Sequence, residues 1–364
     1  MFLGKNDISL VEERTYNAWR GDSWPSYQEV LQGVEVYEDI HHEITQLVNN
    51  YWDQKKPLFI EQLEMMVTYG CTLKCTSCTN FSDYQNHSRG NVRWKDARLH
   101  LNRLLQHKVN VEKLLLMGGE PFLNKDFPNW IDGLRTEFPD IKLMILTNGH
   151  LVMRNKWIID SMRKYGNIWL KFSNHMPGAE WFEDSVQLIR NNFDWEVQSH
   201  PFPNEYQRFQ DRVVVYKDDK GNRFEIANYD SYQLMVKGTF GNLKPWKNDP
   251  AKAYKRCMQP TQVSFNDGIL FKCTMNWNLQ HALANHNQAD DKDWDGYIFN
   301  GVNVHDCTAD QLNNFISNIG KPHKICGMCP SDDQSDSETY IDHYANTTSK
   351  IKFLKYDKET RRNI

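Results

Sequence analysis

The sequence predicts an α/β fold in which strands and helices alternate and the strands form a parallel sheet. Between about residues 60 and 240, short apolar runs are separated by stretches in which apolar residues recur at helical spacing. This alternation favours parallel strands joined by right-handed helical crossovers, which can curl a sheet into a barrel. Two polar, Gly-containing turns in the second half of the chain predict β-hairpins in addition.

The individual elements of the sheet follow from the same pattern. Five apolar runs predict strands, namely Leu63–Val67, Val111–Met117, Ile141–Leu146, Ile168–Phe172 and Trp195–Val197. Four apolar stripes predict the helices between them, namely Leu101, Leu104 and Leu105; Trp130, Ile131 and Leu134; Ile158, Ile159 and Met162; and Val186, Leu188, Ile189 and Phe193.

Two hairpins are predicted downstream. The first pairs 212–216 with 223–226 across a polar turn, and we expect it to close the barrel or to lead into a second domain. The second pairs 262–265 with 269–272 across the tight turn Asn266-Asp267-Gly268.

The remaining elements lie towards the ends of the chain. Apolar residues at helical spacing predict a helix over about 28–55. Thr308 and Gln311 form a capping box that opens a further helix, whose apolar face carries Leu312, Phe315, Ile316 and Ile319.

Length and charge exclude several function classes. A chain of 364 residues has room for two domains or one large one. The net charge of −4 gives no basic field for nucleic acid, and no apolar run is long enough for a membrane span. Because the N-terminal residues lack a signal-peptide core, we expect a cytoplasmic protein.

The most informative motif is Cys71-x3-Cys75-x2-Cys78, directly after the first predicted strand. Three thiolates this close can hold one iron–sulfur cube, and its fourth iron then remains open to a substrate or cofactor. A zinc site is the alternative, although zinc usually requires a fourth Cys or His nearby.

A second motif, Gly118-Gly119-Glu120-Pro121, ends the second predicted strand about 40 residues after Cys78. Glycines allow the backbone to approach a ligand closely, and a carboxylate can accept a charge-assisted hydrogen bond from an ammonium group. We therefore predict that Glu120 binds an ammonium group, with a plain strand-to-helix turn as the alternative. The next strand ends in Thr147-Asn148-Gly149, which predicts a turn.

The order of the two motifs resembles the radical S-adenosylmethionine (SAM) superfamily. The resemblance implies a partial (β/α)6 barrel and a [4Fe-4S] cluster on Cys71, Cys75 and Cys78, whose open iron binds SAM. It also implies SAM contacts from the GGEP turn and from Ser173 or Asn174, after the fourth strand. One departure is Ser77, where the family usually has an aromatic residue.

A second cysteine set follows the barrel region. Cys257 and Cys273 flank the second hairpin, which can bring their thiolates together, and Cys326-x2-Cys329 supplies two more. The arrangement resembles the Twitch domain, a shortened SPASM domain, which holds one auxiliary [4Fe-4S] cluster. A zinc ribbon is the alternative. Cys307 is left over, and we expect it to be a small packing thiol.

These resemblances imply an enzyme that cleaves SAM reductively to a 5'-deoxyadenosyl radical and abstracts hydrogen from a substrate C–H bond. The auxiliary cluster would accept an electron from the substrate or shape the site. We expect a small polar metabolite (a sugar, cyclitol or nucleotide) as substrate and a reductant protein such as flavodoxin or ferredoxin as partner. The alternatives are a peptide-modifying radical SAM enzyme and a zinc-stabilised, non-enzymatic binding protein.

The predicted domain division follows the motifs. An N-terminal helical extension covers 1–59, the radical SAM partial barrel 60–245, the Twitch domain 246–335 and a C-terminal helix or tail 336–364. We expect a general base for the reaction among Asp211, Glu225 and Asp230, which the sequence does not rank.

Overall fold

A ten-stranded sheet organises the part of the chain that the computed structural model describes. The described residues are 58–75, 78–82, 90–198, 213–229, 231–238, 241–257, 259–331, 333–334, 340–342, 356–357 and 362–363. The sheet contains β1 (Leu58–Thr68), β2 (Val109–Gly118), β3 (Lys142–Thr147), β4 (Ile168–Asn174), β5 (Glu196–Gln198), β6 (Val213–Lys217), β7 (Arg223–Asn228), β9 (Gln262–Asn266), β10 (Ile269–Phe271) and β11 (Val302–Asn303). Two pairs of short strands complete the described set: β8 (Ser231–Gln233) with β12 (Tyr340–Asp342), and β13 (Tyr356–Asp357) with β14 (Arg362–Asn363).

The order of the sheet is β11-β10-β9-β1-β2-β3-β4-β7-β6-β5. Its six central strands, from β9 to β7, all run parallel, and antiparallel strands form both edges. The predicted α/β class and parallel sheet are therefore confirmed. The fifth apolar run differs from expectation, because β5 pairs antiparallel with β6 at the edge and adds no parallel strand.

Helices connect the strands of the sheet, and the first four cover its outer face. They are α1 (Trp94–Gln106), α2 (Phe127–Glu137), α3 (Trp157–Tyr165), α4 (Glu180–Arg190), α5 (Pro250–Lys255), α6 (Thr274–Asn285) and α7 (Ala309–Ser317). The first four follow β1 to β4 in turn, and their predicted stripes are buried against the sheet, as Leu101, Ile131 and Ile158 show. Burial of these stripes on alternate strands and helices produces the main core.

The inner face of the sheet forms a separate apolar cluster. Met66, Met117 and Met144 come from neighbouring strands and pack with Phe271 and Trp277. Trp277 belongs to α6, which is buried on nearly every side. The helix therefore packs against the inner face of the sheet, and the inward-facing side chains of β1 meet protein instead of solvent.

The second hairpin forms as predicted. β9 and β10 pair antiparallel, and Asp267 and Gly268 both have positive φ (52° and 79°), as a two-residue type I′ turn requires. The hairpin then continues the barrel sheet, because β9 runs parallel to β1. The predicted capping box also forms, since Thr308 Oγ1 accepts from Gln311 N and opens α7.

The first hairpin, β6–β7, also forms as predicted, and β7 joins it to the barrel through parallel pairing with β4. The helix expected over 28–55 lies outside the described residues. None of the described helices has both the length and the apolar character needed to cross a membrane.

Candidate functional site

The three-cysteine loop begins three residues after β1 ends, at the carboxyl edge of the parallel strands. Cys71, Cys75 and Cys78 are all half-buried, and Leu73 between them is fully buried in the main core. The loop ends in a turn in which Phe81 N donates to Cys78 O at 2.9 Å. Because Phe81 is itself buried in the core around α6, both ends of the loop are fixed by packing.

The Gly118-Gly119-Glu120 turn holds this loop by its backbone. Gly119 N donates to Thr68 O at 3.2 Å, and Glu120 N donates to Gly70 O at 2.8 Å. A Cβ atom on Gly119 would lie 2.1 Å from Gly70 O and 2.7 Å from Cys71 Cβ. The glycines are therefore required by the close approach of the cysteine loop, whereas the sequence suggested the approach of a ligand.

Glu120 links the second strand to the third. Its buried carboxylate accepts from Thr147 Oγ1 at 2.7 Å, from Asn148 N at 2.8 Å and from Phe122 N at 3.2 Å. Burial raises the pKa of Glu120 to about 7, although these three donors lower it. The carboxylate thus has protein donors on both oxygens, and its predicted contact with an ammonium group stays a prediction.

Asn148 is a site residue that the sequence analysis took for part of a turn. Thr147-Asn148-Gly149 does form a turn, with Gly149 at φ 83°. In addition, Asn148 Nδ2 lies 3.2 Å from Thr72 Oγ1 and 3.7 Å from Cys71 Sγ, so it donates towards the cysteine loop. Its position after a barrel strand was the available signal.

Ser173 and Asn174 end β4 at the same edge of the sheet, and both are buried. Asn174 Nδ2 donates to Asn228 Oδ1 at 2.8 Å, and Tyr229 N donates to Asn174 O at 3.1 Å. Burial raises the pKa of Tyr229, and a hydrogen bond with the Ser173 side chain lowers it. Their predicted contact with SAM is not tested by this arrangement.

The second cysteine set lies around the β9–β10 hairpin and α6. Cys257 follows α5, Cys273 precedes α6, and Cys326 and Cys329 belong to the short 3-10 turn at 324–328 and its end. Burial raises the pKa of Cys273 to about 12, with Cys257 and Cys326 raising it further. Burial likewise raises the pKa of Cys329 well above its usual value, and the other three thiols add to the effect.

The four thiols are therefore close enough to repel one another as thiolates. Lys272 directly precedes Cys273 in the chain. Burial lowers the pKa of Lys272, and the charges of Cys326, Cys273 and Cys257 raise it, which indicates that the ammonium group lies near these thiols. Among the described residues, no group of three or more His, Cys, Asp or Glu side chains stands in the geometry that holds a metal ion. This holds for the second set and for the first cysteine loop alike: each has donor atoms in one region of the described chain, and in neither are the side chains arranged as ligands.

Residues 65–195 match the family model described as "Radical SAM superfamily". This chain contains a radical SAM domain. The matched segment includes all three cysteines of the first loop, the GGEP turn, Asn148, Ser173 and Asn174, and it ends before Cys257.

Two GTP 3',8-cyclases are similar to the radical SAM region over short segments. The protein of Nautilia profundicola (strain ATCC BAA-1463 / DSM 18972 / AmH) is 28% identical over 92 residues, which cover 25% of this chain and 28% of that protein. The protein of Psychromonas ingrahamii (strain DSM 17664 / CCUG 51855 / 37) is 30% identical over 106 residues, covering 29% of each. The chain thus aligns with less than a third of either relative.

Among solved structures, the crystal structure of BtrN in complex with AdoMet and 2-DOIA is similar at 12% identity and a TM-score of 0.40. The alignment covers 75% of this chain and 94% of that chain.

A radical SAM domain implies a [4Fe-4S] cluster and SAM. The first cysteine loop fits this requirement, because it brings three thiols to the edge where β1, β2, β3 and β4 end. The backbone cradle of Gly119 and the amide of Asn148 fix the position of Cys71 within that edge. Cys71, Cys75 and Cys78 would hold the cluster.

Proposed function

We propose that this protein is a radical SAM enzyme that modifies a small polar metabolite. When bound, the cluster and SAM supply a 5'-deoxyadenosyl radical that abstracts hydrogen from a substrate C–H bond. The observation that carries this proposal is the three-cysteine loop, held by the GGE turn at the carboxyl edge of the sheet, within the segment that matches the family.

The protein residues at this edge have distinct tasks. Cys71, Cys75 and Cys78 bind the cluster, and Gly119 and Asn148 hold the loop in place. The GGEP turn, Ser173 and Asn174 are the proposed SAM contacts, since they border the same edge. Packing of α6 against the inner face of the sheet helps to exclude water from a radical reaction.

A small polar metabolite is favoured as substrate by the chemistry of the barrel interior. Lys171 and Glu225 form an ion pair of 3.2 Å there, with Glu225 almost fully buried. A sugar, a cyclitol and a nucleotide all offer the hydrogen-bonding groups that such side chains bind. Similarity to GTP 3',8-cyclases supports a nucleotide among these classes, over less than a third of their length.

We further propose that Cys257, Cys273, Cys326 and Cys329 hold an auxiliary [4Fe-4S] cluster in a Twitch-like region. The mutual effect of the four thiols on their pKa values and the cationic Lys272 beside them support an anionic group at this position. The cluster would accept an electron from the substrate, which makes the enzyme an oxidoreductase. A flavodoxin or ferredoxin in the cytoplasm would supply the electron for the first cluster.

Release of 5'-deoxyadenosine tests the proposed function directly. Full-length protein, reconstituted anaerobically with iron and sulfide, is incubated with SAM and dithionite. We expect methionine and 5'-deoxyadenosine from the wild-type protein and none when Cys71→Ala, Cys75→Ala and Cys78→Ala are combined. Cys307→Ala is the matched control, because Cys307 packs against the outer core. Stoichiometric zinc with no iron in the wild-type protein would contradict the proposal.

A further inference from the structure

Three buried polar atoms on the inner side of the sheet lack hydrogen-bond partners among the described residues. They are Glu64 Oε1 on β1, Trp169 Nε1 on β4 and Asn278 Oδ1 on α6. Glu64 is 1% exposed and Asn278 is 0% exposed. Buried polar atoms without partners are uncommon in folded proteins, and each carries a desolvation penalty. Several in one region require an explanation.

Two of these atoms belong to residues on either side of the contact between β1 and α6. The other oxygen of Glu64 accepts from the Thr274 hydroxyl, and the Gln62 side chain also lies near enough to lower the pKa of Glu64. Asn278 follows Thr274 by one helical turn, and its Nδ2 lies 3.9 Å from Met66 Sδ. Because positions i and i+4 share a helix face, and Glu64 and Met66 share a strand face, the two orphaned oxygens lie in the same region.

Trp169 joins this region through Lys171. The Lys171 ammonium lies 5.0 Å from the centre of the Trp169 ring and 3.2 Å from Glu225 Oε1. Burial raises the pKa of Glu64 to about 7, and Lys171 is among the groups that lower it. Trp169 also packs in the same inner apolar cluster as Met66 and Trp277, although β1 and β4 are separated by two strands in the sheet, so the inner side chains of the two strands share one region.

The three atoms without partners determine which chemical groups a ligand of this site must present. Two are acceptor oxygens and one is an indole N–H donor, so a ligand that satisfies them presents mainly O–H or N–H groups. The charged groups in the region are two buried carboxylates, Glu64 and Glu225, the ammonium of Lys171, whose side chain is 26% exposed, and the exposed guanidinium of Arg223, which lies 5.0 Å from the centre of the Trp169 ring. Because the buried members of this set are the two carboxylates, the site favours a neutral or cationic ligand over an anion.

We propose that Glu64, Asn278, Trp169 and the Lys171–Glu225 pair form a binding site for a small hydroxylated molecule, such as a sugar or cyclitol, that is neutral or carries an amine. This inference rests on the proposed function, because it makes the site the substrate pocket of the radical SAM enzyme. Lys171 precedes Ser173 by two positions on β4, so it lies about 7 Å along the strand from the proposed SAM edge. The inference narrows the proposed substrate classes to sugars and cyclitols, because the two buried carboxylates repel the phosphates of a nucleoside triphosphate.

The first test uses thermal unfolding of the full-length reconstituted protein without substrate. A ligand site leaves its polar groups unsatisfied when it is empty, so Glu64→Gln and Asn278→Leu should each raise Tm by about 2 to 4 °C. Glu61→Gln is the matched control, because Glu61 lies on the same strand, is 48% exposed and pairs with Lys113. It should leave Tm unchanged. A lower Tm for both Glu64→Gln and Asn278→Leu would assign a purely structural role and overturn the proposal.

The second test measures binding by calorimetry in the presence of SAM. The probes are a panel of monosaccharides, amino sugars and cyclitols, with GTP as the anionic comparison. At least one panel member should bind the wild-type protein with Kd below about 1 mM, the upper end of common Michaelis constants. Glu64→Gln and Asn278→Leu should weaken that binding at least about tenfold, and Glu61→Gln should not. Tighter binding of GTP than of every panel member, or no binding by the panel, would overturn the proposal.

SAM cleavage without substrate separates this inference from the proposed function. The wild-type protein and the surface control Glu61→Gln should both release 5'-deoxyadenosine with dithionite, since the first cysteine loop is intact in both. If the wild-type protein cleaves SAM but the panel fails to bind, the substrate class is wrong and the enzyme class stands. If the wild-type protein does not cleave SAM, the enzyme class fails whatever the panel shows.

Discussion

At the scale of single residues, the carboxylate of Glu120 experiences two opposing effects. Burial favours the neutral acid, whereas the Thr147 hydroxyl and the N–H groups of Asn148 and Phe122 favour the anion. Burial dominates and raises the pKa of Glu120 from its usual value of 4.5 to about 7. The sequence could place Glu120 after a strand, but it could not indicate that the side chain turns inward to meet the next loop.

The raised pKa of Glu120 gives a pH-dependent stability. Below the unfolded pKa near 4.5 the carboxyl group is protonated in both states, and as pH rises towards 7 only the unfolded state loses its proton. The contribution of Glu120 to the free energy of unfolding therefore falls over this range, by at most about 1.4 kcal/mol per pH unit.

Glu120→Gln should remove this pH dependence. We expect the free energy of unfolding of the variant, relative to wild type, to improve steadily from about pH 4.5 to about pH 7. Urea denaturation at several pH values measures the difference. Glu61→Gln, at an exposed position on β1, should follow the wild-type curve. Parallel curves for Glu120→Gln and wild type would show that Glu120 titrates normally.

At the scale of elements, local pattern predicted most of what forms. β2 and β4 contain their predicted apolar runs, Asp267-Gly268 makes the predicted turn, and Thr308 caps α7. These features depend on residues close in sequence. The role of the GGE turn depends on a contact between loops about 50 residues apart, which local pattern cannot show.

Gly119→Ala tests that contact. The added Cβ would lie 2.1 Å from Gly70 O, so either the turn or the cysteine loop has to move. We expect a loss of about 1 to 3 kcal/mol in unfolding free energy and reduced iron at the first cluster after anaerobic reconstitution. Iron analysis and urea denaturation measure both effects.

Gly178→Ala is the control for this change. Gly178 has φ 79° and no atom within 4 Å of an added Cβ, so alanine there meets only backbone strain. It should cost about 1 kcal/mol and leave the iron content unchanged. Equal iron loss in both glycine variants would show that the close packing at Gly119 is not what holds the loop.

At the scale of the whole molecule, the sheet order was the least predictable feature. β9 comes almost 200 residues after β1 yet pairs parallel with it, and α6 then packs on the inner face. No local signal marks such a pairing, because strand partners are chosen by tertiary packing. The same arrangement brings Glu64 to Thr274 and Asn278, so the inferred substrate site could not be read from the sequence either.

Because β9 of the second hairpin pairs with β1, the second cysteine set lies next to the sheet that carries the first cysteine loop. Variants of this set therefore test whether the hairpin region contributes an auxiliary cluster to the reaction. Cys273 lies between β10 and α6, and its thiol is near those of Cys257, Cys326 and Cys329. If the four thiols hold an auxiliary cluster, reconstituted wild-type protein should carry about eight irons and Cys273→Ser about four. Reductive SAM cleavage should survive in Cys273→Ser, because it needs only the first cluster.

The matched control is Cys307→Ser, since Cys307 is half-buried, packs against the outer core and has a pKa raised by burial. It should keep about eight irons and lose about 1 kcal/mol of stability, as one polar substitution in a packed position does. Iron and zinc analysis of the three proteins decides the outcome. About four irons in the wild type, with zinc lost on Cys273→Ser, would assign the hairpin cysteines to a zinc ribbon, and any electron leaving the substrate would then need an acceptor outside this chain.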